Sequence, residues 1–133
     1  AEIDAEAFDT VMSAYRLPRE TDEQKVERKK LIRDATIGAA EAPLATASSA
    51  MELLSSLVGL CVSCNSNALT DLASASELSL SAVKIAAMNV RINLDFIEGD
   101  DVDRIASQIE KVIQKSTSYA DAITLKVNER LGW

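Results

Sequence analysis

The sequence predicts an all-α protein, built as an antiparallel helical bundle of four to five helices. Its 133 residues include only four Gly and two Pro, and 47% are hydrophobic, much of this Ala and Leu. Such a composition favours helices over sheets. Apolar residues also recur at steps of three and four, which is the period of an amphipathic helix. Since this length suffices for one core, we expect residues 1–133 to form a single helical domain.

The first two helices are indicated by their start and stop signals. A helical pattern covers residues 2–16, and Leu17-Pro18 is expected to end it because the residue before a proline disfavours the α conformation. Thr21 and Gln24 have the spacing of a capping box, which predicts that a second helix begins there. This helix extends towards Pro43, where it either kinks or gives way to a new helix.

Two apolar faces follow Pro43. A helix that is apolar on two sides is expected to be central and packed between neighbours. The first face holds Leu44, Ala47, Met51, Leu54, Val58 and Cys61, and the second holds Leu53, Leu57 and Leu60.

Residues 65–94 contain no Gly or Pro and predict one long buried helix, with an Asn at its start as the cap. Asp71, Asn89 and Asn93 fall on one stripe of this helix, separated by apolar residues. Buried polar groups are costly unless they find partners, so both ends of the helix are candidate sites. Asp71 and Asn89 lie about 27 Å apart along the helix. The two ends therefore belong to different sites, or to one site completed by another subunit.

Charged residues also recur along this helix, at Glu77, Lys84 and Arg91. Glu77 and Lys84 would form a catalytic ion pair if buried, but we favour an edge that meets water or a partner subunit. Glu98-Gly99 then breaks the chain before a last amphipathic helix. Its buried stripe is predicted to hold Val102, Ile105, Ile109, Val112, Ser116, Ala120, Ile123 and Val127.

Charge and composition bear on the partners. The net charge of −7 argues against nucleic acid, and we interpret the basic run from Lys25 to Arg33 as a solvated helix face because acidic residues surround it. We find no window apolar enough to span a membrane and no charged-then-apolar leader within the sequence, so we expect a cytoplasmic protein without membrane contact. Without His, the sequence offers neither a Ser-His pair nor a His metal ligand.

Cys61 and Cys64 form a C-x-x-C motif. A structural zinc site would need two further ligands from a second chain. A redox pair is the other functional interpretation, although no strand precedes the motif. We favour two plain thiols at a helix end and expect no metal.

Three groups of polar residues are candidates for ligand binding. Each also has a purely structural interpretation: a capped turn, an N-cap cluster, and amides satisfied by neighbouring backbone. The residues alone predict an acidic helical bundle with a carboxylate–amide site. The three groups are Tyr15, Arg16 and Arg19; Asn65, Asn67, Thr70 and Asp71; and Asn89 and Asn93.

The string DAEAFDTVMSAYRLPRET resembles the cyclodeaminase/cyclohydrolase family, which includes the C-terminal half of formiminotransferase-cyclodeaminase and stand-alone methenyltetrahydrofolate cyclohydrolases. The resemblance continues in the family's order and at close to its spacing through residues 41–44, 65–71 and 89–94. It therefore covers residues 4–95. The family's Asn-Pro-Asn…Ser-Asp pattern maps onto Asn65, Asn67, Thr70 and Asp71, and its Tyr-Arg-x-Pro-Lys pattern onto Tyr15, Arg16, Pro18 and Arg19.

The resemblance implies a dimeric folate enzyme. Such enzymes form methenyltetrahydrofolate from formiminotetrahydrofolate with loss of ammonia, or hydrolyse the methenyl form to the formyl form. A buried aspartate can accept a proton from water and return it to a nitrogen without a cofactor, so Asp71 is the expected acid/base. Arg16 or Arg19 would pair with the glutamate tail, and the amides of Asn67 or Asn89 would contact the pterin edge.

Several departures from the family keep alternatives open. Family members carry an N-terminal Gly-rich segment, and we expect this sequence to lack it; a fused upstream formiminotransferase domain stays open. Ser66 stands where the family has Pro, and Thr70 where it has Ser. The alternative from another class is therefore a catalytically inactive, dimeric homologue that acts as a binding or scaffold module. A C-x-x-C redox protein is the third functional interpretation of the sequence.

Overall fold

The computed structural model describes the backbone of residues 2–95 and 97–133, and the side chains of residues 5–95 and 97–133. Four helices cover most of these ranges, and no strand occurs within them. The prediction of an all-α bundle is confirmed. The helices are α1 (Glu2–Tyr15), α2 (Asp22–Ser63), α3 (Leu69–Leu94) and α4 (Asp100–Leu131), with a 3₁₀ turn at Ser66–Ala68 between α2 and α3.

The boundary between α1 and α2 lies where the sequence predicts it. α1 ends at Tyr15, and α2 begins directly after Thr21. The Thr21 hydroxyl accepts a hydrogen bond from the Gln24 amide at 3.2 Å, and the Gln24 side chain accepts one from the Thr21 amide at 3.2 Å. The capping box is therefore present and satisfies two amide groups at the start of a 42-residue helix.

α2 continues through Pro43, so the alternative in which a new helix begins there is wrong. Proline lacks an amide hydrogen and costs a helix one hydrogen bond. Pro43 is buried, and Ala40 and Ala47 on either side of it are fully buried in the core shared with α3 and α4. Packing of these small residues holds the helix together where local propensity would interrupt it.

α2, α3 and α4 enclose two clusters of buried side chains, and α1 packs against α2. Leu69 at the start of α3 lies in one cluster with Cys61 at the end of α2, as antiparallel neighbours require. Leu94 at the end of α3 lies in the other cluster, with Ala40 of α2. All eight residues predicted for the buried stripe of α4 are buried.

α3 begins at Leu69 rather than at residue 65. Two predictions of burial are also wrong. The outer face of α3 is open: Leu78 is 73% exposed and Ile85 is 56% exposed. On the second apolar face of α2, Leu57 is buried, but Leu53 and Leu60 are about half exposed. Because α4 covers only one side of the α2–α3 pair, the opposite side of both helices faces outward.

α2 also contains an 18-residue window with a mean hydropathy of 1.4, of which 22% is buried. The expectation that no window is apolar enough to span a membrane is therefore wrong by length and composition. Ala and Leu raise the hydropathy of this helix.

Arg33 joins α2 to the start of α4. Its Nε donates to the Glu98 carbonyl at 3.1 Å, and its Nη2 donates to the Asp101 carboxylate. The hydrogen bond from Arg33 holds the pKa of Asp101 below its usual value. Gly99 has φ +136°, and a Cβ at this position would lie 2.5 Å from Arg33 Nη2. The positive φ therefore favours glycine where α4 begins.

Candidate functional site

A groove runs between α2 and α3 on the open side of the molecule. Its volume is about 1000 Å³, at the upper end of the range of small-molecule sites. The wall from α2 is formed mainly by small residues around Pro43, and the wall from α3 by Ala82, Ile85, Ala86 and Asn89. Small side chains on both walls leave the space that defines the groove.

Four side chains that line the groove are polar: Glu41, Thr46 and Ser49 from α2, and Asn89 from α3. Thr46 donates its hydroxyl hydrogen to the Ala42 carbonyl at 3.2 Å. Glu41 is exposed and supplies a carboxylate. Asn89, a predicted site residue, supplies an amide from the opposite wall. The groove thus combines an apolar surface with a carboxylate and an amide, a suitable lining for a planar cationic heterocycle.

Asn93 holds the edge of this groove in place. Its amide nitrogen donates to the Asn89 carbonyl at 2.8 Å, and the Ala39 carbonyl of α2 lies 3.5 Å away. Asn93 is half-buried. The Asn93 amide therefore has backbone partners on both α2 and α3, as its structural interpretation predicts.

The polar residues at the start of α3 lie elsewhere. The Asn65 side chain accepts a hydrogen bond from the Asn67 amide at 3.0 Å and caps the 3₁₀ turn. Asn67, Thr70 and Asp71 are exposed. The expectation that Asp71 is buried is wrong, because none of the described helices covers this side of α3. Within one chain, Asp71 lies about 16 Å along α3 from Ala82, the nearest lining residue of that helix.

The turn between α1 and α2 forms the third predicted group. Tyr15, Arg16 and Arg19 are all exposed. Arg28, which the sequence did not single out, donates to the Tyr15 carbonyl at 2.9 and 3.3 Å, and its guanidinium carbon lies 5.5 Å from the Tyr15 ring centroid. Arg28 therefore fixes the turn through a cation–π contact and two hydrogen bonds.

The C-x-x-C motif lies at the end of α2. Cys61 is buried and Cys64 is half-buried, and both thiols are free. Burial raises the pKa of the Cys61 thiol, and Cys64 raises it further, whereas Arg130 lowers it. Arg130 of α4 donates to the carbonyls of Cys61 and Cys64 at 2.9 and 2.8 Å. Among the described residues, no group of three or more His, Cys, Asp or Glu side chains is arranged to hold a metal ion.

The three predicted groups thus occupy three separate places in one chain, and only Asn89 lines the groove. The sequence analysis missed Glu41. A signal was present: Glu41 lies within residues 41–44, one of the stretches on which the family resemblance rests, and Ala45 and Ser49 follow it at steps of four on the same helix face.

These features define the class of protein: an antiparallel helical bundle with a carboxylate-bearing groove between α2 and α3. The family model for formiminotransferase-cyclodeaminase matches residues 1–118. A methenyltetrahydrofolate cyclohydrolase from Methylorubrum extorquens is 31% identical over 126 residues, which cover 95% of this chain. The chain belongs to the formiminotransferase-cyclodeaminase family. It spans 59% of the length of the cyclohydrolase it matches.

Proposed function

We propose that this protein acts in folate one-carbon metabolism and hydrolyses 5,10-methenyltetrahydrofolate to the formyl form. The observation that supports this most is the groove between α2 and α3, which brings Glu41 and Asn89 to opposite walls. The matched cyclohydrolase supports hydrolysis over deamination. Deamination and cyclisation of 5-formiminotetrahydrofolate is the second candidate reaction, because the family model carries the cyclodeaminase description.

The chemistry of the substrate explains why these residue types are suited to it. The methenyl carbon bridges two nitrogens in a cationic amidinium, so a carboxylate beside it stabilises the charge. Hydrolysis adds water to this carbon. One proton must leave the water, and one of the two carbon–nitrogen bonds must then break. A carboxylate acid/base can move these protons, and we expect no cofactor beyond the folate itself.

We retain Asp71 as the proposed acid/base, with Glu41 as the carboxylate that faces the cation. Arg16 or Arg19 is proposed to pair with the glutamate tail, with Tyr15 beside it; Asn65, Asn67, Thr70, Asn89 and Asn93 complete the proposed binding residues. A homodimer, a cytoplasmic location and the absence of nucleic-acid and membrane partners remain predictions, as does a fused formiminotransferase domain.

The test is the loss of methenyltetrahydrofolate absorbance on adding the purified protein, at a pH where spontaneous hydrolysis is slow. We expect loss faster than the blank, and a fall of roughly 10² or more in kcat for Asp71→Asn, the usual effect of removing an acid/base. Asp121→Asn, an exposed change on α4, is the control. Unchanged turnover in Asp71→Asn would exclude Asp71 as the acid/base.

The alternative from another class is a catalytically inactive homologue that serves as a binding or scaffold module. The exposure of Asp71 and the substitutions beside it favour this alternative. Saturable binding of the folate without turnover, measured by calorimetry, would support it. A second assay offers formiminotetrahydrofolate to the same protein. Release of ammonia would indicate deamination, because hydrolysis of the methenyl form releases none.

A further inference from the structure

The C-x-x-C motif has a contact that the sequence could not show. Arg130 of α4 reaches the end of α2, where its Nη1 donates to the Cys64 Sγ at 3.4 Å. The same guanidinium donates to the carbonyls of Cys61 and Cys64 at 2.9 and 2.8 Å. These three contacts hold one positive charge against the sulfur of Cys64.

This charge lies where a nucleophilic sulfur would need it. The nucleophilic form of a cysteine is the thiolate, which carries a negative charge. Cys64 is the C-cap of α2. The C-terminal end of a helix bears a partial negative charge from its unpaired carbonyls and disfavours an anion. The guanidinium of Arg130 offsets this effect, because it contacts both the carbonyls and the sulfur.

The two cysteines differ in their access to solvent. Cys61 is fully buried, whereas Cys64 is half-buried. A dissolved reagent therefore reaches the sulfur of Cys64 first. Burial also raises the pKa of the Cys61 thiol, so that this thiol keeps its proton. Cys61 is thus shielded from solvent but open to attack a neighbour within the protein.

The backbone brings the two cysteines close enough for a disulfide. Both thiols are free, and they are three positions apart at the end of α2. This spacing places the two Cα atoms about 5 Å apart, within the range of about 4.4–6.8 Å found in disulfides. The φ of Cys64 is −65°, as in a helix, so its Cβ keeps the helical direction. The two Cβ atoms need to approach by only roughly 1–2 Å.

We propose that Cys61 and Cys64 are a reversible redox pair, in which Cys64 is the attacking thiol, Cys61 is the resolving thiol and Arg130 positions the Cys64 sulfur. The reagent is a hydroperoxide, of which hydrogen peroxide is the simplest. The motif lies about 18 Å along α2 from Ser49, the nearest groove residue of that helix. The inference therefore does not depend on the reaction proposed for the groove.

The oxidation has two steps. The Cys64 thiolate attacks one oxygen of hydrogen peroxide: an S–O bond forms, the O–O bond breaks, and the hydroxide leaves as water with the proton that the thiol lost. Cys61 then loses its proton and attacks the Cys64 sulfur: the S–S bond forms, the S–O bond breaks, and a second water leaves. Two electrons pass from the thiols to the peroxide. A dithiol reductant reverses the oxidation by thiol–disulfide exchange.

The first test follows the mass of the intact, fully reduced protein during treatment with hydrogen peroxide. We expect the wild type to lose the mass of two hydrogen atoms, to stay a single unlinked chain on a non-reducing gel, and to recover with dithiothreitol. Peptide mapping assigns the change to the motif and separates it from methionine oxidation.

Two variants assign the roles of the thiols. Cys61→Ser should stop at the sulfenic acid of Cys64, which dimedone traps. In Cys64→Ser, the buried Cys61 should stay unmodified under the same conditions. A wild type that keeps both thiols, that links two chains, or that passes to the sulfinic acid without forming the disulfide would overturn the proposal.

The second test concerns Arg130 and measures the rate at which iodoacetamide alkylates Cys64 in the Cys61→Ser background. Arg130→Gln should lower this rate by roughly threefold to tenfold, the effect of removing one charge contact at a half-buried site. Arg130→Lys keeps the charge and should recover most of the rate. Lys126→Gln is the matched control, because Lys126 is a cation one turn earlier on α4 that pairs with Glu129.

Rates in urea, where the contact with Arg130 is lost, should be equal for all these proteins. Circular dichroism shows whether each variant keeps its helices, and Arg130→Met, which retains an apolar stem, replaces Arg130→Gln if that variant loses them. Equal rates for the folded Arg130→Gln or Arg130→Met and their Cys61→Ser parent would show that Arg130 only caps α2, and would overturn its positioning role.

Discussion

Glu41 and Asn89 show what a single residue contributes to the groove. They extend from different helices, and their position in one cavity depends on how α2 and α3 pack. Asn93, one turn further along α3, donates to the main-chain carbonyl of Asn89. The groove therefore has one polar group on each wall, and the carboxylate is the one that can offset a positive charge on a ligand.

Glu41→Gln tests this charge. The amide keeps the size of the side chain but loses the negative charge. Because the cation is already present in the bound substrate, we expect the KM for methenyltetrahydrofolate to rise by roughly threefold to tenfold, with a smaller change in kcat. Steady-state kinetics over a range of substrate concentrations separate the two parameters.

Glu52→Gln is the matched control, because Glu52 is an exposed carboxylate of the same helix that does not line the groove. An equal KM for Glu41→Gln and the wild type would show that the carboxylate does not contact the bound cation.

At the scale of secondary-structure elements, α4 has the clearest division between faces. Ile123 is fully buried, whereas Leu125, two residues later, is 72% exposed. Two residues turn the helix by about 200°, which takes a side chain from the core to the solvent. The position on the helix, rather than the residue type, decides how much each side chain stabilises the fold.

Ile123→Ala should therefore lower the free energy of unfolding by about 2–5 kcal/mol, through lost burial and the cavity that remains. Leu125→Ala removes a similar volume from the surface and should change it by no more than about 0.5 kcal/mol. Urea unfolding followed by circular dichroism gives both values. Similar losses for the two variants would mean that the outer face of α4 is also covered.

At the scale of the whole molecule, α4 covers one side of the α2–α3 pair and leaves the other side exposed. Both core clusters lie between α4 and the α2–α3 pair, while Leu53, Leu60, Leu78 and Ile85 remain on the opposite side. Large apolar side chains that are exposed together on one side are typical of an interface rather than of a free face.

Association through this side should make thermal stability depend on protein concentration. A 100-fold increase in concentration adds up to about 2.7 kcal/mol when only the folded state associates, so the Tm should rise by several degrees. Differential scanning calorimetry at two concentrations measures this. A Tm that is independent of concentration in the wild type would contradict association.

The sequence by itself determined the features that depend on local spacing. The capping box at Thr21, the end of α1 before Pro18 and the buried stripe of α4 follow from side-chain chemistry and the helical period, and the structure has all three. The motifs at residues 41–44, 65–71 and 89–94 likewise indicated the family that the comparisons establish.

Features that depend on the packing of other helices could not be predicted from local spacing. The sequence could not show that α2 continues through Pro43, that Asp71 and Ile85 remain exposed, or that Glu41 faces Asn89 across a groove. The period of a helix reveals which residues share a face. Which face is covered, and by what, depends on how many helices pack around it and in which order, because burial is a property of contacts between distant parts of the chain.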